Sequence, residues 1–193
     1  MLPYSTQDID EADVRAVART LRSGWLTQGP AVERFEQALA KAAGTKYAVV
    51  LNAGTAALHA AYFAAGVGRG DEVIIPALTF ATTGNAALYL GAKPVFADSD
   101  PATGCLSVTE AKKRITRKTK AIVPVDYAGR PADLVAFKRL ARKHKLVLIV
   151  DGAQSLGAKV AGKSAGCVAD MTTYSFHPVK SITTGEGGAV VTN

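Results

Sequence analysis

The chain has 193 residues, of which 48% are hydrophobic, and this composition excludes a disordered protein and fits one globular domain. Its net charge of +7 suggests an anion-binding surface, but the cations directly precede apolar runs, which is more typical of solvated helix ends. Because no zinc-finger or RNA-binding aromatic pattern occurs and no apolar run approaches the ~20 residues of a membrane span, we expect neither a nucleic-acid nor a membrane partner.

The two cysteines, Cys105 and Cys167, lie far apart and match neither a metal-ligand spacing nor a disulfide framework. We therefore predict free thiols and no metal site. The first 13 residues are polar and acidic, unlike a signal peptide. Together these features predict a cytoplasmic protein.

Apolar periodicity predicts helices that alternate with short strands along the chain. The predicted helices are Ile9–Arg22, Val32–Ala43, Thr55–Ala65, Ala81–Leu90, Val108–Ile115 and Pro131–Lys143. The predicted strands are Tyr47–Leu51, Glu72–Ile75, Pro94–Ala97, Ala121–Val125, Leu146–Val150, Met171–Ser175 and Ala189–Thr192.

Near-continuous apolar strands separated by helices predict an α/β fold in three α/β/α layers around a mainly parallel seven-stranded sheet. The last two strands leave no room for a crossover helix, so one of them is expected to run antiparallel. We expect residues 1–30 to form an N-terminal helix and connector, and residues 31–193 to form the large, ligand-binding domain.

Two chemically matched groups lie at predicted strand ends, where ligands bind in such sheets. Asp151 ends one apolar run, and Lys180 follows another in a polar turn closed by glycines. An amine and a strand-end carboxylate are the protein groups that pyridoxal 5'-phosphate (PLP) chemistry needs: the amine forms an imine with the aldehyde, and the carboxylate keeps the ring nitrogen protonated. A lone strand-end Asp could simply cap the next helix, but Lys180 and Ser175 are expected at the same edge, which favours the ligand site.

Two further strand ends carry candidate ligand groups. Asn52–Thr55 is a small-residue turn that opens a helix, which suits a phosphate, although Gly-Thr is also an ordinary helix start. Phe80 follows the second strand and could stack on a flat heterocycle or pack in the core. Gln154 lies three residues after Asp151 and can reach the same ring.

Taken in order, the motifs Asn-Ala-Gly-Thr, Asp-Gly-Ala-Gln, Ser-Phe-His-x-x-Lys and Gly-Glu-Gly-Gly resemble those of the DegT/StrS-type sugar aminotransferases, a branch of the aspartate-aminotransferase (fold type I) superfamily. The resemblance implies that Lys180 binds PLP covalently, that Asp151 pairs with the pyridine nitrogen, and that Gln154 lies near the ring hydroxyl. It also implies a phosphate site formed by Gly54, Thr55, Ala56 and Ser175. The same resemblance places Phe80 against the cofactor ring.

Within the family, the strings Leu26–Gly29, Val125–Gly129 and Ile182–Asn193 look most like the branch that serves pseudaminic-acid biosynthesis. That resemblance implies transfer of an amino group from L-glutamate to C4 of a UDP-linked 4-keto-6-deoxy sugar. It further implies a sugar-nucleotide site that includes Tyr4, Trp25, Leu26 and Thr27, and a homodimer. Family members normally continue past this point with a small C-terminal domain, so we expect the chain to represent the lysine-bearing half, whose activity alone is in question.

Two alternatives remain open from the sequence. A non-catalytic relative could use the same fold to bind PLP or a sugar nucleotide as a regulator, although the presence of Lys180 favours an enzyme. The same chemistry could also serve another nucleotide sugar or a dehydration. Dehydrating relatives carry histidine in place of the cofactor-binding lysine, whereas here the lysine is present.

Overall fold

The structure is a computed structural model that describes residues 6–193. Its helices are α1 Glu11–Arg22, α2 Pro30–Ala43, α3 Gly54–Ala64, α4 Thr82–Tyr89, α5 Val108–Lys113 and α6 Leu134–His144. Its strands are β1 Tyr47–Leu51, β2 Glu72–Pro76, β3 Lys93–Ala97, β4 Thr119–Ile122, β5 Val147–Asp151, β6 Lys159–Val160, β7 Lys163–Ser164, β8 Met171–Ser175 and β9 Gly188–Thr192.

Seven of these strands form one sheet in the order β1-β9-β8-β5-β4-β2-β3. The pairs from β8 to β3 are parallel, and β9 runs antiparallel to both of its neighbours, β1 and β8. The predicted mainly parallel sheet and the antiparallel final strand are therefore confirmed. The order places the carboxyl ends of β1, β8, β5, β4 and β2 at one edge of the sheet.

The central strands β2, β4 and β5 are buried on both faces, which explains their near-continuous apolar runs, whereas the edge strands β1 and β3 expose side chains such as Tyr47 and Phe96. In β2, Val73 and Ile75 pack on the side of α3 and α4, whereas Ile74 packs with Phe137 of α6 on the opposite side. All four side chains have no exposed surface. The helices thus form the outer layers of the predicted three-layer fold.

The differences from the predicted elements have local causes. The fourth strand ends at Ile122 rather than Val125, although Pro124 still accepts a hydrogen bond from the Asp151 N–H and a single bridge joins Val125 to Asp151. Helix α6 begins at Leu134 because the Asp133 side chain caps it by accepting from the Ala136 N–H. The β6–β7 hairpin was not predicted, since two-residue strands have no readable period.

The basic clusters lie where the sequence placed them. Lys112 and Lys113 end α5, and Arg142, Lys143 and His144 form the last turn of α6, all exposed to solvent. Cations at a helix C-terminus also interact favourably with the helix dipole. Over residues 6–193, every helix is too short or too polar to cross a bilayer.

Candidate functional site

A cavity of about 990 Å³ lies at the edge of the sheet where the parallel strands end. Its walls come from the segments that follow β1, β2, β4, β5 and β8, together with the residues just before β9. This is the position at which open α/β sheets bind ligands, because diverging connections there leave a crevice. Its volume is at the upper end of the range for small-molecule sites.

Asp151 is the last residue of β5 and is buried in the wall of this cavity. One carboxylate oxygen, Oδ2, accepts a 2.7 Å hydrogen bond from the Thr83 hydroxyl, and Oδ1 accepts a 3.2 Å bond from the Ala153 N–H. Burial raises the pKa of Asp151, while these two hydrogen bonds and the charge of Lys180 oppose that rise. The carboxyl group is thus buried, with two hydrogen-bond donors that favour its charged form.

Lys180 lies in the loop between β8 and β9 and lines the same cavity as Asp151. The loop is closed at its base, where the Phe176 N–H donates to the Gly187 carbonyl. The Phe176 carbonyl accepts from the Thr184 N–H at 3.1 Å and from the Thr183 hydroxyl at 3.0 Å. The lysine N–H donates to the His177 carbonyl at 2.9 Å. The amine and the carboxylate therefore face one space.

The N-terminus of α3 forms another part of the wall, with Gly54 and Thr55 on the cavity. None of the described side chains caps this helix, so its first N–H groups remain available to an anion. A Cβ on Gly54 would lie 2.8 Å from Ser175 Cβ, which shows how closely Ser175 abuts the helix start. Because Gly54 has no side chain, the Ser175 hydroxyl can lie next to the first N–H groups of α3.

Phe80 and Gln154 also line the cavity, in different settings. Phe80 is 76% exposed, so it does not pack in the core, which was the alternative to a role in stacking. The Gln154 amide oxygen accepts a 2.7 Å hydrogen bond from the Ala128 N–H, which joins the turns after β4 and β5. An exposed aromatic face at the mouth of an apolar cavity suits stacking on a flat ring.

The cavity does not include every residue that the sequence singled out. Ala56 lies in the first turn of α3 but is not part of the wall. Trp25 and Leu26 are 62% and 66% exposed and, with Thr27, do not line the cavity in this chain. Tyr4 lies outside the described residues. The sugar-nucleotide role of these residues stays a prediction.

Several residues in or behind the wall were not singled out from the sequence. Thr83 contacts Asp151 from α4, and Thr79, His177 and Glu186 also face the cavity or its lining. The His177 Nε2 and Glu186 Oε1 atoms are 3.9 Å apart on either side of the lysine loop. The one available signal was the cluster of threonines just after β2, because ligands bind beyond the carboxyl ends of the strands in such sheets.

A neighbouring carboxyl group, Asp126, is completely buried behind the wall. It accepts hydrogen bonds from the Ser155 hydroxyl at 2.6 Å and from the Ala132 N–H at 3.0 Å. Desolvation raises the pKa of Asp126 to about 6 against the effect of those bonds, and the nearby Asp151 charge adds to the rise. Asp126 thus joins the turns after β4 and β5 from behind.

Comparison with known proteins agrees with this geometry. The model of the DegT/DnrJ/EryC1/StrS aminotransferase family matches residues 7–193. The chain belongs to this family. The spore coat polysaccharide biosynthesis protein SpsC of Bacillus subtilis is 40% identical over 192 residues, which cover 100% of this chain and 49% of SpsC.

Solved structures of family members superpose closely. Spr1654 from Streptococcus pneumoniae in its PLP-form has a TM-score of 0.96 and 36% identity, covering 100% of this chain and 53% of that one. Helicobacter pylori PseC, an aminotransferase involved in the biosynthesis of pseudoaminic acid, has a TM-score of 0.94 and 39% identity, covering 99% and 52%. The chain spans about half the length of the curated relatives it matches.

Proposed function

We propose that this chain is the cofactor-binding part of a PLP-dependent aminotransferase that acts on a nucleotide-linked keto sugar. The observation that carries the proposal is the shared cavity of Lys180 and Asp151 at the carboxyl ends of the strands. Family membership and the PLP-form of a structural relative support it. We propose residues 31–193 as the PLP-binding domain and residues 1–30 as a separate N-terminal segment.

The residues present fit PLP by their chemistry. The uncapped N-terminus of α3, the hydroxyl of Ser175 and the close approach at Gly54 suit a phosphate group. Phe80 offers an aromatic face, and Asp151 offers a buried carboxyl group as a partner for a ring nitrogen. Lys180 supplies the amine. Each part of the cofactor thus has a group of matching charge or shape on the same wall.

Bound PLP supplies an aldehyde for covalent attachment and a ring that accepts electrons from a substrate carbon. Lys180 would hold the cofactor through its aldehyde, and its amine is the group on this wall that could carry a proton to or from a bound substrate. Asp151 holds positive charge at the ring nitrogen, which a buried carboxylate does more strongly than a solvated one. The N–H groups of α3 fix the phosphate so that the ring does not shift.

We propose L-glutamate as the amino donor and C4 of a UDP-linked 4-keto-6-deoxy sugar as the acceptor. The support is the set of short strings that resembles the pseudaminic-acid branch, together with the likeness to PseC. The identity to SpsC is almost the same, so overall similarity does not select the sugar. Trp25, Leu26 and Thr27, which are held away from the cavity, are proposed to meet the nucleotide sugar in the assembled enzyme.

A homodimer is the proposed assembly. Helices α3 and α4 contain no charged residue, yet they expose Phe63, Leu88 and Tyr89 to solvent by 56–72%. An uncharged apolar surface of this kind is typical of a subunit contact. The cytoplasmic location stays a prediction.

The test begins with absorbance spectra of the protein mixed with PLP. A band of the lysine-bound cofactor that is absent in Lys180→Ala supports the cofactor site, and its absence in the wild-type chain contradicts it. Incubation with ¹⁵N-glutamate and a panel of nucleotide-linked keto sugars then identifies the acceptor by the mass of the aminated product. The longest form that the gene encodes is assayed beside the 193-residue chain. A regulatory, non-catalytic relative would show the band without any product.

A further inference from the structure

Two threonine hydroxyls form a chain that leads from the cavity wall to the buried carboxylate. The Thr79 and Thr83 hydroxyl oxygens are 2.8 Å apart, and the Thr83 hydroxyl is 2.7 Å from Asp151 Oδ2. Thr83 is completely buried, whereas Thr79 is half-buried and lines the cavity. The chain therefore connects the segment after β2 with the end of β5.

The direction of this chain follows from the number of protons. The Thr83 hydroxyl donates to Asp151 Oδ2, and a threonine hydroxyl has only one proton to donate. Thr83 is then the acceptor in its contact with Thr79, which must donate. Both hydroxyl protons thus point towards the carboxylate, and the arrangement stabilises its negative charge.

The backbone of Thr83 is fixed independently of this chain. The Tyr62 hydroxyl, itself completely buried, donates a 2.8 Å hydrogen bond to the Thr83 carbonyl. The Thr83 N–H donates to the Phe80 carbonyl at 3.1 Å. With its backbone held at both groups, Thr83 presents its hydroxyl from a fixed point.

We propose that Thr79 and Thr83 are positioning residues that hold the Asp151 carboxylate, through its Oδ2 atom, in the place where it meets the cofactor's ring nitrogen. The proposal rests on the proposed PLP site and extends it to residues that touch Asp151 rather than the cofactor. The other titratable groups that face Asp151 are Lys180, Asp126 and Tyr62. None of them donates a hydrogen bond to Oδ2 among the described residues.

The first test measures Asp151 without any cofactor. Carboxyl resonances of ¹³C-aspartate are followed against pH, and Asp151→Asn assigns the signal. Removing the hydroxyl with Thr83→Val is expected to raise the midpoint of Asp151 by about one pH unit or more, because a hydrogen bond to a charged group is lost. Thr83→Ser keeps the hydroxyl and is expected to restore the wild-type midpoint.

Two further variants separate positioning from general packing. Thr79→Val leaves Thr83 in place and is expected to give a smaller shift in the same direction. Thr172→Val is the matched control, because Thr172 is buried in β8, its hydroxyl donates to the Gly166 carbonyl at 3.1 Å, and it does not line the cavity. It is expected to leave the Asp151 midpoint unchanged.

The second test uses PLP. Thr83→Val is expected to raise the dissociation constant for PLP about tenfold or more, and Thr172→Val to change it less than about twofold. Folded Thr83→Val with an unchanged Asp151 midpoint overturns the inference. If Thr83→Val does not fold, an unshifted midpoint in Thr79→Val overturns it. Failure of the wild-type chain to bind PLP would reject the proposed cofactor, while the carboxyl titration would still decide the positioning role.

Discussion

The two reactive groups of the cavity, the carboxyl group of Asp151 and the amine of Lys180, are held in different ways. Asp151 is buried at the end of a central strand and is held by hydrogen bonds from a different helix and from the next turn. Lys180 lies in a loop whose hydrogen bonds are almost all local, between residues 176 and 187. The carboxylate is thus fixed by contacts between distant parts of the chain, whereas the amine is carried by a segment held mainly by its own local hydrogen bonds.

The largest expected effect comes from replacing Lys180, in the loop between β8 and β9. Lys180→Ala removes the amine, so the absorbance band of the lysine-bound cofactor is lost. Transamination falls by about 10²- to 10⁴-fold from the missing proton transfer alone. Lys163→Ala, an exposed lysine of β7, is the matched control and should leave both spectrum and rate unchanged. A normal band in Lys180→Ala would assign the cofactor to a different amine.

Replacing Asp151 tests the buried carboxyl group at the end of β5. Asp151→Asn removes the negative charge but keeps the shape, so PLP binding should weaken at least about tenfold and turnover should fall further. Asp133→Asn serves as control, because Asn caps a helix about as well as Asp and Asp133 lies outside the cavity. Equal losses in the two variants would show that the effect is not specific to the ring partner.

A smaller effect is expected where the start of α3 meets the end of β8. A Cβ at Gly54 approaches Ser175 too closely, so Gly54→Ala should lower the free energy of unfolding by about 1–3 kcal/mol and weaken PLP binding. Urea denaturation and a PLP titration measure the two effects. Gly68→Ala is the control, since a Cβ there meets nothing within 4 Å. Normal PLP binding by Gly54→Ala would contradict the phosphate site proposed at Gly54 and Ser175.

An effect on stability alone is expected at Asp126, which does not line the cavity. Its folded pKa of about 6 exceeds the ordinary 3.8, so the folded chain keeps a proton that the unfolded chain releases. The free energy of unfolding therefore falls as pH rises from about 4 to 6, by up to about 3 kcal/mol.

Asp126→Asn removes this titration. Relative to the wild-type chain, the variant should gain stability between pH 4 and pH 7, as measured by urea denaturation at both pH values. A difference between the two chains that does not vary with pH would contradict the raised pKa of Asp126.

Local patterns were sufficient for most elements of the fold. Buried runs such as Val73–Ile75 predicted two-sided strands, and the missing crossover before Ala189 predicted the antiparallel β9. Element ends were less predictable, because they depend on single contacts such as the Asp133 cap of α6. The two-residue strands β6 and β7 had no signal of their own.

For the candidate site, the sequence by itself determined which chemical groups follow which strands: the amine, the carboxylate, the small-residue turn and the aromatic ring. Only the tertiary structure decided which groups touch. Thr83 lies 68 residues before Asp151, and Gly54 meets Ser175 across the sheet. The physical reason is that the order of strands in the sheet, rather than the order of residues in the chain, sets these distances, and that order is held by the burial of the central strands on both faces.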